Sequence, residues 1–545
     1  MFDRISFHKN LRKSTAFSLL LVMLSWNEVY AADSAPTSLD NKTTLLHSSP
    51  VDASSTVVVK GFLVTGNTII AGNELQTLLV NYIDQRCDLQ KLREASSRVT
   101  EEYRRRGNML AKAYILPQTI TDGMVKITVV EGRIGNIVIE GNRNYSSQFI
   151  RNYLTSGDSQ ERLAIDRLER GILLLDSRFI DLKVKANFSP GVAPGTTDIH
   201  VKVEDCAPLH ATISTNNLGS EFVSRYRFGG QFEWTNLAIQ GSTFTFGGFI
   251  GDKLSRMHVV NGGYLFPLNS VGTIIGVNVL DGNFEVGKDF ADLGIHNREI
   301  GGELFISHPF LYNRKSTLIG KTGFKASDAK YYLLDALSAR DNIRSVYAEL
   351  QWDHFSLGGR TLAGLTVSQG LGHVLGGTPN GDQLSSRINA SNEFTHVKGN
   401  FARLQPLSSR FSTLLRLSGQ WSGASLPAGE EWLVGGFNSV HGYSFGEASG
   451  DCGYSASVAL RLSPFPDKEI LKFSAFLDHG YARKRTPLSG SNGNKDLTGF
   501  GLGINSHLGT FAPTDVRLDI GWPLNPSTNF LHESPVIYFD TSIRF

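Results

Sequence analysis

The C-terminal part of this chain is a long series of short alternating segments, and this series restricts the fold more than any other feature. From about residue 206 to residue 545, segments of about ten residues alternate apolar with polar or small side chains, and Gly, Asn, Asp and Ser clusters separate them. A transmembrane β-barrel requires this alternation, because one face of each strand meets lipid and the other meets a wet lumen. The region has no uninterrupted apolar run of the ~20 residues that a spanning helix needs, so only strands could carry it across a membrane.

Residues 411–421 show the alternation clearly. Leu415 and Trp421 lie on one face of the predicted strand, whereas Arg416 and Gln420 lie on the other. Because side chains of a strand point alternately to its two faces, the first face suits lipid and the second suits a wet lumen.

The end of the chain repeats the pattern, since Ile537, Phe539 and Phe545 share one face of the last segment. We interpret the terminal Phe545 as a C-terminal insertion signal. Counting the segments gives about sixteen, an even number as expected for a bacterial barrel, and a last strand paired with the first would leave no open edge. We therefore predict a membrane β-barrel of about 16 antiparallel strands over residues 206–545. A soluble β-sandwich or propeller also alternates, but blade repeats are absent from the sequence.

The N-terminus has the pattern of an export signal. Basic residues precede an apolar run at residues 16–26, and small residues end at Ala31. This order is typical of a signal peptide, which we place at residues 1–31. A membrane anchor is the alternative, but the run is shorter than the ~20 residues that it needs. Residues 32–55 are rich in Ser, Thr and Asp, and this composition predicts a flexible leader.

A repeat of roughly 75 residues follows the leader. The segment FLVTGN at residues 62–67 recurs as IVIEGN at residues 137–142, each a strand that ends in a Gly-Asn turn. Both copies continue with apolar residues at helical spacing, which are Leu89, Leu92, Ala95, Val99 and Tyr103 in the first and Ile165, Leu168, Ile172 and Leu175 in the second. Each copy closes with a strand, at residues 125–131 and 199–205. The repeat predicts two small α+β domains at residues 56–132 and 133–205.

Charge and cysteine content exclude several functions. With 53 Lys and Arg against 51 Asp and Glu, the chain has no basic footprint for nucleic acid, so we expect no nucleic-acid partner. Cys87, Cys206 and Cys452 are too far apart for a zinc cluster. Cys87 and Cys206 could pair in an oxidising compartment, and isolated thiols are the equal alternative.

Three apparent catalytic or ligand motifs do not have the context that they need. Residues 442–446 match the G-x-S-x-G of hydrolases but lie in a predicted barrel loop with no helix after it. Residues 320–322 (GKT) resemble the end of a phosphate-binding loop, but Lys315 stands where its upstream Gly belongs. His441 and His479 have no third ligand at a recognisable spacing. We therefore expect no catalytic residue, metal or cofactor, and no enzymatic activity.

The first repeat contains a set of residues that resembles a known domain family. The set begins with an aromatic residue at the end of the predicted helix and ends just after the last strand. It comprises Tyr103, Gly107, Leu116, Pro117, Gln118, Glu131 and Gly132. It is similar to the polypeptide-transport-associated (POTRA) domains of the two-partner secretion transporters, the haemolysin secretion/activation proteins of the ShlB/FhaC/HecB type. The resemblance extends over residues 57–545.

Two barrel motifs resemble the same family. Val440, His441, Gly442 and Tyr443 are similar to its VRG[FY] motif, the tip of a long loop that folds back into the pore after the eleventh strand. Phe476, Asp478 and Gly480 match its F-x-D-x-G strand motif, and they share one face, which we interpret as the lumen face. The resemblance implies that the loop Arg contacts the strand Asp. Here His441 replaces that Arg, so the charge-assisted and bidentate bonding of a guanidinium is lost.

The resemblance implies a function as well as a fold. It implies export of a secreted partner exoprotein, a haemolysin or an adhesin, across the bacterial outer membrane, with the N-terminal domains in the periplasm. Outer-membrane lipid and, during biogenesis, the barrel-assembly machinery are the other expected partners. A barrel-assembly factor and a plain diffusion porin are the alternatives, although a porin does not need the two N-terminal domains.

Overall fold

A computed structural model describes residues 56–106, 108, 111–155, 165–193, 196–466, 468, 470–487, 492–509, 512–525 and 535–545. The predicted signal peptide and leader, and Gly107, lie outside the described residues. The described chain divides into two compact units, one of residues 56–176 and 182–206 and the other of residues 177–181 and 207–545. No helix in the described part is both long and apolar enough to cross a membrane.

The first repeat folds into a small α+β structure, whose elements are β1 (Val57–Val59), β2 (Gly61–Thr65), α1 (Gly72–Leu79), β3 (Gln85–Cys87), α2 (Leu89–Arg105), β4 (Lys112–Tyr114) and β5 (Met124–Val130). Strand β5 is central, since it pairs in parallel with β2 and antiparallel with β4. Helix α2 begins where the Asp88 side chain accepts a hydrogen bond from the Lys91 amide at 2.7 Å. Its apolar stripe, including Leu92, Val99 and Tyr103, is buried in the core.

The second repeat has the same order of main elements, which are β6 (Arg133–Glu140), α3 (Ser147–Thr155), α4 (Ile165–Arg178), β7 (Leu182–Pro190) and β8 (Thr196–Asp205). Strand β8 is central, parallel to β6 and antiparallel to β7. The parallel pair in each repeat joins the strand that precedes the helices to the last strand, β2 to β5 and β6 to β8, so the predicted helices lie in the connection between them.

Sixteen antiparallel strands form one closed barrel in the described residues, as predicted. They are β9 (Leu209–Asn216), β10 (Arg227–Thr235), β11 (Thr243–Gly251), β12 (Met257–Pro267), β13 (Ile274–Glu285), β14 (His296–Tyr312), β15 (Ser316–Leu333), β16 (Ala336–Ser356), β17 (Gly359–Gly370), β18 (Thr395–Pro406), β19 (Phe411–Ser422), β22 (Cys452–Leu462), β23 (Leu471–Arg483), β24 (Asn494–Leu508), β25 (Thr514–Pro523) and β26 (Val536–Arg544). Short strands β20 (Trp432–Val434) and β21 (Ala448–Gly450) pair separately.

Closure of the ring satisfies the backbone of the last strand. Strand β26 pairs with β9 from Asp540–Asn216 to Arg544–Thr212, and Phe545, whose side chain is exposed, continues the pairing through a 2.8 Å bond from its amide to the Ala211 carbonyl. A barrel without an edge leaves no strand unpaired in lipid.

The two faces of the strands differ as the alternation predicts. On β19, Leu415 and Trp421 are exposed on the outer face, whereas Gln420 is buried on the inner face. Residues 320–322 lie within β15, a strand of the barrel, and not in a loop. Cys87, Cys206 and Cys452 are free thiols, so of the two alternatives for the cysteines the structure shows the unpaired one.

Candidate functional site in the barrel lumen

A long loop between β19 and β22, residues 423–451, folds against the inner wall, and we call it the pore loop. Strands β20 and β21 form an antiparallel hairpin within it. Its apolar side chains, among them Val434, Val440 and Tyr443, are buried together with Ala482 of β23 and Leu497 of β24. The loop therefore has a packed core of its own, shared with the barrel wall.

His441 lies at the tip of the pore loop between two carboxylates, and its side chain is fully buried. The Nδ1 atom is 2.6 Å from Oδ2 of Asp478 on β23, and the His441 amide donates to the same oxygen at 3.2 Å. On the other side of the ring, Nε2 is 3.4 Å from Oδ2 of Asp519 on β25. A carboxylate only accepts hydrogen bonds, so both ring nitrogens can donate only when the imidazole is protonated. We call these contacts the tip anchor.

Asp519 is itself paired with a cation, since Nη2 of Arg517 is 2.6 Å from its Oδ2 atom. The His441 ring also packs against Phe476, with the centroids 4.3 Å apart. Phe476 and Asp478 thus contact the same imidazole from one strand face, the first by packing and the second by charge.

Glycines allow the tip to approach the wall closely. A Cβ atom on Gly499 of β24 would be 2.1 Å from the His441 carbonyl oxygen, and one on Gly480 would be 2.4 Å from Cγ1 of Val434. Gly521 of β25 is equally close to the tip, since its Cβ would be 2.6 Å from the Gly442 nitrogen. Three neighbouring strands therefore lack side chains where the loop packs against them.

The two residues after His441 are bound by hydrogen bonds to the last strands. Gly442 has a φ of +90°, a conformation that favours glycine, and its amide donates to Oη of Tyr538 on β26 at 3.0 Å. Tyr538 in turn donates to the Tyr443 carbonyl at 2.9 Å. The Tyr443 hydroxyl donates to the Thr498 carbonyl at 2.8 Å. The loop motif is thus fixed by backbone bonds as well as by charge.

In the first small domain, Glu131 joins the helix to the first turn. Its carboxylate accepts hydrogen bonds from the Thr68 amide and hydroxyl, from the Ile69 amide at 2.7 Å and from the Tyr103 hydroxyl at 2.9 Å. Partial burial alone would raise the pKa of Glu131, but these hydrogen bonds outweigh it and lower the pKa. Burial and the hydrogen bond to this carboxylate raise the pKa of Tyr103.

The second small domain repeats this arrangement. Oδ2 of Asp205 accepts from the amides of Arg143 and Asn144 at 2.6 and 2.7 Å, as Glu131 does from Thr68 and Ile69. Each turn carries a glycine with positive φ, Gly66 in the first domain and Gly141 in the second. In each domain this carboxylate therefore links the end of the last strand to the turn that follows the first strand of the parallel pair.

Gln118 has a role in the backbone pairing of the first domain. Its side-chain amide donates to the Lys126 carbonyl at 2.8 Å and accepts from the Lys126 amide at 2.7 Å, so the side chain pairs with β5 like a strand residue. Leu116 is exposed, and Gly132 follows β5 with a φ of +67°. Pro117 precedes Gln118 in the same irregular segment.

Sequence reasoning did not identify Asp519, Gly521, Gly499 or Tyr538 as contacts of the tip. A signal for the first two is present, because Asp519 and Gly521 repeat the D-x-G spacing of Asp478 and Gly480. Tyr538 has no such signal, since a single tyrosine in an alternating strand is common.

The chain is similar to known transporter proteins. The heme/hemopexin transporter protein HuxB of Haemophilus influenzae is 22% identical over 476 residues, which cover 85% of this chain and 82% of HuxB. The outer membrane transporter CdiB of Escherichia coli is 23% identical over 407 residues, which cover 72% of this chain and 67% of CdiB. A solved structure of CdiB from Escherichia coli has a TM-score of 0.75 at 18% identity and covers 100% of this chain and 98% of that chain, which shows a shared fold.

Two family models match the chain over distinct regions. A POTRA domain of the ShlB type matches residues 57–132. The model of the haemolysin secretion/activation protein ShlB/FhaC/HecB matches residues 195–506, more than half of the chain. The chain belongs to the ShlB/FhaC/HecB family of haemolysin secretion/activation proteins.

Proposed function

We propose that this outer-membrane transporter exports one partner exoprotein, an adhesin or a haemolysin, by two-partner secretion. The observation that carries the proposal is the pore loop, which occupies the lumen of a closed ring of sixteen strands and is held there by specific side-chain contacts. A ring of this size is wide enough for an aqueous channel. Displacing the loop opens a path for an extended chain.

The two small domains are proposed to bind the unfolded cargo in the periplasm, with boundaries at residues 56–132 and 133–205. Within the described residues, the sheet orders β2-β5-β4 and β6-β8-β7 leave β2, β4, β6 and β7 with one unpaired edge each. An extended peptide can add to such an edge through main-chain hydrogen bonds, which give affinity with little demand on sequence.

Export in this proposal needs no bond chemistry by the transporter. The sequence has no nucleotide-binding motif, so the driving term is folding of the cargo outside the cell, which removes the unfolded form and prevents its return. The barrel-assembly machinery inserts the barrel, and outer-membrane lipid surrounds the outer faces of its strands.

The test uses cells that express this chain together with a large, repetitive exoprotein chosen as the candidate partner. Deletion of residues 56–132 should leave the barrel inserted and stop export, since a domain with its own core can be removed without unfolding its neighbour. Normal export by an inserted deletion protein would contradict the role of the first domain.

The same cells separate the alternative functions. A diffusion porin would keep its full activity when residues 56–205 are deleted. An assembly factor would be required for many outer-membrane proteins, so their levels in cells without this chain should fall. We expect these levels to stay unchanged while export of the one partner is lost.

A further inference from the structure

A second group of charges contacts the pore loop away from its tip. Glu430 ends a short 3₁₀ helix, Ala428–Glu430, and is only 3% exposed. Its Oε1 atom is 2.9 Å from Nζ of Lys325. Its Oε2 atom is 3.6 Å from Nζ of Lys398 and 3.8 Å from Nδ1 of His396. A buried carboxylate needs such partners, because burial without them is costly.

The cations that surround Glu430 come from other strands of the wall than the tip anchor. Lys325 lies on β15 and Lys398 on β18, while the tip anchor uses Asp478 on β23 and Asp519 on β25. In ring order β15 is the seventh strand and β25 the fifteenth, half way round a ring of sixteen, whereas β18 is the tenth strand and β23 the thirteenth. The pore loop therefore contacts wall strands that extend over half of the ring.

The signs of the charges on the loop and on the wall are reversed between the two groups of contacts. At Glu430 an acidic loop residue meets a basic wall, and at His441 an imidazole meets an acidic wall. A buried ion pair contributes little net stability compared with apolar packing, but removing one partner leaves an uncompensated charge. Such contacts can be separated when the loop moves, because the separated charges can be hydrated again.

We propose that Glu430 with Lys325 and Lys398 forms a second anchor of the pore loop, which must open together with the tip anchor before the lumen is clear. Glu430 is in this sense a positioning residue for transport. The inference rests on the proposed function, since it concerns the loop whose displacement opens the path.

The experiment measures ion conductance of the purified full-length protein in planar bilayers with potassium chloride. Glu430→Gln should raise the fraction of time in the open state by about fivefold or more, the range of a typical coupling between sites. Lys325→Gln should act in the same direction and serves as the second variant if Glu430→Gln does not fold. The double variant should be no more open than the stronger single one, because both remove the same interaction.

The matched control is Asp353→Asn in the barrel wall. Asp353 on β16 makes a buried ion pair with Arg360 of β17 through two hydrogen bonds, at 2.9 and 2.7 Å. The control therefore breaks a buried ion pair that does not include the pore loop. Its open fraction should stay close to that of the unmodified protein.

Exchange of the charges supplies a readout that loss of stability alone does not produce. Glu430→Lys places a third cation between two lysines and should open the channel most, and adding Lys325→Glu should return the open fraction toward that of the unmodified protein. Equal effects of Glu430→Gln and Asp353→Asn, or additive effects in the double variant, would overturn the second anchor. Absence of any channel or export in the unmodified protein would instead overturn the proposed function.

Discussion

The imidazole of His441 reaches Asp478 at 2.6 Å from a different segment of the chain, and it does so at the position where the related loop motif has arginine. A guanidinium at this place is always charged, whereas an imidazole is charged only below its pKa. Because both ring nitrogens face carboxylates, the tip anchor should weaken as the pH rises and the imidazole loses its proton.

The first prediction therefore compares His441→Arg, His441→Ala and Asp478→Ala at two pH values on either side of neutrality. His441→Arg should secrete cargo at both values, with little change in conductance. Both alanine variants should impair secretion to a similar extent, because each removes the same contact. His479→Ala, a histidine of β23 that bonds to Thr498 and Tyr454 instead of the loop, is the control. Secretion by His441→Ala at the level of the unmodified protein would exclude the tip anchor.

The second prediction concerns Asp519, which is ion-paired with both Arg517 and His441. Asp519→Asn keeps the shape and removes the charge, and loss of one partner of a buried ion pair costs about 3–5 kcal/mol. We expect a more open channel, similar in size to the effect of Asp478→Asn. The check is bilayer conductance of both variants, and a closed channel in Asp519→Asn would limit the tip anchor to Asp478.

The third prediction concerns the close approach of the tip to β24. In Gly499→Ala, the new methyl group would be 2.1 Å from the His441 carbonyl oxygen, so the loop must move. Overpacking of this kind costs about 1–3 kcal/mol. Gly399→Ala on β18 is the control, because no heavy atom lies within 4 Å of its new Cβ. Conductance should rise in Gly499→Ala only, and equal behaviour of the two variants would contradict the packing argument.

The fourth prediction is a pH dependence in the first small domain. Hydrogen bonds to the Glu131 carboxylate lower its pKa in the folded protein, below the value of about 4.3 for a free side chain. The carboxylate therefore contributes stability that is present above that value and is lost as the pH falls through the folded pKa.

Glu131→Gln should accordingly destabilise the domain at neutral pH, and its difference from the unmodified protein should shrink in acid. Hydrogen exchange of residues 66–70 in the full-length protein, corrected for intrinsic rates, measures this difference. Glu101→Gln on the exposed side of α2 is the control. A difference that stays constant with pH would exclude the carboxylate as its cause.

The barrel could be predicted because the alternation of faces is a local property of each strand. The faces on which Leu415 and Gln420 lie follow from the alternation within their own strand, without reference to a partner strand. Sixteen segments of this kind form the closed ring. The small domains could be predicted for the same reason, since the stripe of α2 and the repeated Gly-Asn turns are local patterns.

The contacts of the pore loop could be predicted only in part. The pair of His441 with Asp478 follows from two motifs and a family resemblance. The contacts of Asp519 and Tyr538 with the tip depend on which strands the tip faces, and closure of the ring decides which strands these are. Glu430 gives no local signal, because its partners Lys325 and Lys398 come from strands far away in the sequence.

The pore loop comes earlier in the chain than the wall residues that bind its tip. Asp478, Asp519 and Tyr538 belong to β23, β25 and β26, which all follow the loop. The tip therefore cannot gain its full set of partners before the final strand has joined the sheet. Ring closure and placement of the loop become one late step of biogenesis, and a barrel that still lacks β26 is an open sheet whose loop is incompletely bound. The linear order of the residues thus delays occupation of the lumen until assembly is complete.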